Sequence, residues 1–79
     1  MAVIEIKIEL KKGVADPEGQ NTKKALELLG FSGVRSVKTV KTFQMELDAE
    51  GDAALAMGQE MCRKLLANPV IQSFHVELK

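Results

Sequence analysis

The sequence has 79 residues, with 11 basic and 11 acidic side chains, one cysteine and one histidine. Its length allows one domain, residues 1–79, near the size at which a lone hydrophobic core is marginal. A formal net charge of zero excludes the basic stripe of a nucleic-acid binder, and a hydrophobic fraction of 46% is too rich for a disordered chain.

Ile4, Ile6, Ile8 and Leu10 alternate with Glu5, Lys7 and Glu9, which is the period of a half-buried strand. The same charges exclude a signal peptide or membrane span at this end. A single cysteine and no targeting segment fit a reducing, cytoplasmic location. The loop Lys11–Gln20 follows, carrying Gly13, Asp16, Pro17 and Gly19. Asp16 before Pro17 is the pattern of an N-cap followed by proline at the first helical position. A helix is expected over 17–29, with Thr22, Ala25, Leu26 and Leu29 as its apolar stripe. Gly30 stops it, and Phe31 is placed to pack back on Leu26 in a Schellman motif.

Two strands are expected next, Val34–Val40 and Thr42–Asp48, with a tight turn near Val40–Lys41. That turn lacks an Asn-Gly or Asp-Gly pair, so one long bent strand is the alternative. Asp52 is positioned to cap a second helix over 53–67, whose stripe is Leu55, Gly58, Met61, Cys62 and Leu65. Asn68-Pro69 ends it. A last strand over 70–78 turns Phe74, Val76 and Leu78 inward. The order β-α-β-β-α-β predicts an α+β fold: a two-layer sandwich, ferredoxin-like in outline. Four antiparallel strands in the order 4-1-3-2 would carry both helices on one face.

RNA-binding domains of this topology stack bases on aromatics of the central strands. Glu5, Lys7, Gln44 and Glu46 take those positions here, so nucleic acid is not the expected partner. His75 has no cysteine, serine or carboxylate converging on it in sequence and reads as a solvated or interface histidine. Cys62 lies in an apolar stripe and reads as a buried, inert thiol. One cysteine and one histidine do not make a zinc site. Met57 and Leu28 fall off their helix stripes and are candidates for contact with another chain. Gly58 sits mid-helix, where glycine costs about 1 kcal/mol against alanine; a close neighbour, in the sheet or a partner, would explain it. The Lys11–Gln20 loop is a possible effector site, since a helix N-terminus attracts anions. Yet it lacks the G-x-x-x-x-G-K-[ST] spacing of a phosphate loop, and the Asp16 carboxylate competes for the same N–H groups.

Three stretches carry a family resemblance. "VADPEG" (Val14 to Gly19), "VRSVKTVK" (Val34 to Lys41) and above all "MCRKLLANPVI" (Met61 to Ile71) resemble motifs of the small PurS subunits of phosphoribosylformylglycinamidine synthase. In the middle motif Lys38 stands where arginine is usual and Val40 where glycine is usual. The resemblance implies a ligase subunit in purine biosynthesis, within a complex that uses ATP and glutamine to amidate formylglycinamide ribonucleotide. It implies a homodimer, able to pair into a tetramer, that bridges a glutaminase subunit and a large synthetase subunit and helps ammonia pass between them. It implies no catalytic residue, cofactor or metal in this chain; ATP and magnesium would belong to the synthetase subunit. Subunit contacts are expected at Lys11 and Lys12, at Leu28 and Met57, and at Lys38, Lys41 and His75.

Overall fold

The computed structural model describes Met1–Lys79. β1 (Ala2–Leu10) is the central strand of a three-stranded antiparallel sheet, with β2 (Val40–Leu47) on one side and β3 (Gln72–Leu78) on the other. The register places Ile6 opposite both Phe43 and Val76, so an apolar row crosses the sheet. The alternation read in β1 is realised on this face: Ile4, Ile6 and Ile8 are buried. Each such burial is worth about 1.5–3 kcal/mol.

α2 (Gly51–Met61) lies across β1 and β3 and continues directly into a π-helical turn, Cys62–Leu66. Ala54 and Cys62 complete the core beneath it. The sequence placed a glycine here for a reason the packing supplies: a Cβ on Gly58 would lie 2.8 Å from Val76 Cγ1 and 2.9 Å from Ile4 Cδ1. The close neighbour is the sheet. The helix starts two residues before the expected point. Glu50 occupies the N-cap without a side-chain bond, and Asp52 sits in the first turn, where its charge suits the positive end of the helix dipole. Asn68 closes the far end, its Oδ1 accepting from the Val70 N–H.

The expected fourth strand is not formed. Val34–Thr39 runs as an extended return outside the sheet and enters β2 without a turn. A two-residue hairpin at Val40–Lys41 needs positive φ, and no residue other than glycine adopts it in this chain. The remaining strands keep their expected neighbours, the last and the Val40–Leu47 strands both flanking the first.

The second correction concerns α1 (Pro17–Leu28), which was expected to share the sheet face with α2. It packs instead with the return segment. Gly19 is buried against the Val37 carbonyl, which a Cβ at this position would strike, and Leu26 is partly buried on the same side. Lys11–Thr39 therefore forms an arm that leaves the sheet at the β1–β2 end. The molecule measures 47 × 24 × 15 Å with a radius of gyration of 15.8 Å, against about 12 Å for a compact chain of this length.

Candidate functional site

The base of the arm is organised by Asp16. Its carboxylate accepts from the Gly19 N–H at 2.9 Å, the Thr39 N–H at 2.8 Å and the Thr39 hydroxyl at 3.2 Å. One side chain thus caps α1 and ties the first turn of that helix to the entry of β2. Donation by the Gly19 and Thr39 amides holds the carboxyl below the usual carboxylate range, with Lys38 adding in the same sense. The N–H groups that an anion would need are occupied, so the loop is a latched helix start. At the other end of α1, Gly30 adopts φ +96°. The Phe31 N–H donates to Leu26 and the Gly30 N–H to Glu27, completing the expected Schellman motif.

Three of the seven expected contact residues meet at this base. Lys11, Lys12 and Lys38 line an open depression of about 390 Å³ beside Gly13 and Asp16. Lys38 Nζ is 3.2 Å from a Glu9 carboxylate oxygen, and the Lys11 backbone N–H donates to the Ile71 carbonyl at 2.8 Å; the Lys11 and Lys12 side chains are exposed. The other four are dispersed. Lys41 Nζ stands 5.9 Å above the Phe43 ring, and exposed His75 lies 3.5 Å from Glu77 on β3. Leu28 is on the outer side of α1, 89% exposed.

Met57 belongs to a second feature, an apolar cleft of about 460 Å³ between α2 and β2. Met45, Met61, Leu65 and Leu66 share its lining, with Glu60 and Lys64 at the rim. Lys64 Nζ and Glu60 form an ion pair at 3.1 Å. Sequence reasoning placed Leu65 and Leu29 in core stripes, yet they are 84% and 74% exposed. The shift at Leu65 comes from the π-helical turn, which breaks the 3.6-residue period. The shift at Leu29 comes from the arm, which carries α1 off the sheet. Cys62 is buried as expected, and burial pushes its thiol pKa up. No group of three or more His, Cys, Asp or Glu residues is placed to hold a metal ion, and no helix is long and apolar enough to cross a membrane.

A fold with one covered strand pair, a protruding arm and conserved spacing at the D-P-x-G loop was compared with known proteins. The family model of PurS, phosphoribosylformylglycinamidine (FGAM) synthase, matches residues 3–79. The chain belongs to the PurS family. The FGAM synthase subunit PurS of Archaeoglobus fulgidus is 51% identical over 78 residues, covering 94% of each chain. The crystal structure of Methanocaldococcus jannaschii PurS superposes with a TM-score of 0.91 at 38% identity, covering 100% of this chain and 96% of that one. A chain of the Thermotoga maritima PurLQS structure gives a TM-score of 0.80 at 26% identity, covering both completely. The PurS reading drawn from the three sequence stretches holds, and with it an FGAM synthase subunit of purine biosynthesis.

Proposed function

We propose that this PurS-family chain acts without catalytic residues of its own, as the small subunit that joins a glutaminase chain to a large synthetase chain. The observation that carries this reading is the full-length match to a chain of a PurLQS assembly. In this role the chain works as a homodimer, with a tetramer as a pairing of dimers, in the cytoplasm. ATP and magnesium act in the synthetase subunit. The exposed lysines at the arm base and the apolar surfaces of Leu28 and Met57 supply contact area.

The physical contribution is orientation and exclusion of water. Ammonia set free in neutral water is mostly protonated and loses its nucleophilic lone pair. A subunit that fixes the glutaminase site against the synthetase site keeps the neutral species on a short path. Reconstitution tests this directly. Omitting this chain from a mixture of the three subunits should abolish amidation driven by glutamine, while amidation driven by added ammonium salt persists. Equal glutamine-driven turnover with and without the chain overturns the bridging role.

A further inference from the structure

The chain carries two apolar surfaces that its own topology keeps apart. One is the outer side of α1 and its C-terminal turn: Leu28, Leu29 and Phe31, all exposed. The other is the cleft between α2 and β2, lined by Met45, Met57, Met61 and Leu65. The cleft lies on the helix-bearing side of the sheet, over the half that α2 leaves open, since α2 packs on β1 and β3. That is where the first helix of a β-α-β-β-α-β sandwich belongs. In this chain the helix exists and the place exists, but the arm holds the helix away.

The surface area gives the scale. The chain exposes 5838 Å², whereas a compact monomer of its mass exposes about 4,700 Å². The excess of about 1,100 Å² is comparable to the roughly 800 Å² each partner buries in a stable interface. The charges fit as well. Lys24 and Glu27 flank Leu28 on α1, and Glu60 and Lys64 rim the cleft, so each sign on the helix finds its opposite. An element that is displaced from its own site, with a matching empty site on every copy, closes by two-fold exchange: each arm fills the other chain's cleft, and no surface is left to propagate.

We infer that two copies of this chain pair by reciprocal arm exchange, the Leu28–Phe31 end of α1 from each seating in the Met45–Met57–Leu65 cleft of the other. The inference rests on the homodimer included in the proposed function and names its geometry. Two full-length variants, Leu28→Cys and Met57→Cys, are co-expressed and treated with a short bismaleimide; native Cys62 is buried in both. Sedimentation is run on the same sample. A cross-link joining one chain of each variant, absent when either variant is treated alone, is the expected result. A dimer by sedimentation without that cross-link overturns the exchange but leaves the homodimer, and assigns the cleft to another occupant. A monomer by sedimentation overturns both. As a second readout, Leu28→Glu with Leu29→Glu should weaken the dimer by about tenfold or more with an unchanged circular dichroism spectrum. An unweakened dimer also overturns the exchange.

Discussion

At the scale of single residues, Asp16 does the most with one side chain. It satisfies an orphan N–H of the first turn of α1 and two groups of Thr39, twenty-three positions along the chain. Because the bonds are made to the charged form, folding favours ionisation, and the folded carboxyl titrates below its model value of 3.8. Such a group stabilises the fold at pH values above the unfolded pKa, and the contribution is lost as pH falls through the folded pKa. Asp16→Asn keeps the shape but removes the charge. The variant should melt below the parent at neutral pH, with the gap closing as the pH drops below the ordinary carboxylate range. Thermal melts of both proteins from pH 7 down to pH 2.5 measure it; a gap that stays constant over that range removes the carboxylate from the account. The cap itself was legible in the sequence, because Asp-Pro at a helix start is a local signal. The bond to Thr39 was not, because nothing local in the sequence ties residue 16 to residue 39.

At the scale of elements, the period-two run of β1, the proline start and glycine stop of α1, and the inward parity of β3 were all readable from local pattern. What failed was long-range. Val34–Thr39 has the composition of a strand, but a strand needs an edge, and the Val40–Lys41 pair does not permit the reversal that would have offered one. The apolar stripe of α1 was read correctly as apolar and wrongly as core, since periodicity reports that a face is to be covered and not by what. α2 is the opposite case, because its glycine announced a close contact. Gly58→Ala tests that contact in α2. Helix propensity alone would stabilise the variant by up to about 1 kcal/mol. Against this, the new methyl would meet Val76 Cγ1 at 2.8 Å and Ile4 Cδ1 at 2.9 Å. Val76 is β-branched and stiff, Ile4 is fully buried, and overpacking of this kind costs about 1–3 kcal/mol. The steric term wins, for a net loss of about 1–2 kcal/mol in urea denaturation. A variant as stable as the parent would show that α2 can ride outward from the sheet at little cost.

At the scale of the whole molecule, the arm base and the arm end have separate tasks in the proposed assembly. The end is apolar and suits a permanent contact between copies. The base presents Lys11, Lys12 and Lys38 around a shallow depression, which suits a charged rim against a different subunit. The fold does not need the first two side chains: they are exposed, and it is the Lys11 backbone, not its ammonium, that bonds to Ile71. Reversing both charges in Lys11→Glu with Lys12→Glu should therefore leave stability within about 0.5 kcal/mol of the parent and leave the pairing of copies intact. Association with the glutaminase and synthetase chains should weaken, by about tenfold at low ionic strength. The deficit should shrink as salt is raised, because exposed charges are screened over about 10 Å at 0.1 M. Titrating the variant into the other two subunits while following glutamine-driven turnover at two salt concentrations separates the outcomes. A rightward shift that salt diminishes assigns the lysines to a subunit contact. Superimposable curves at low salt leave Lys11–Gln20 as a latched turn and move the contact to the strands, where Lys41 and His75 remain exposed.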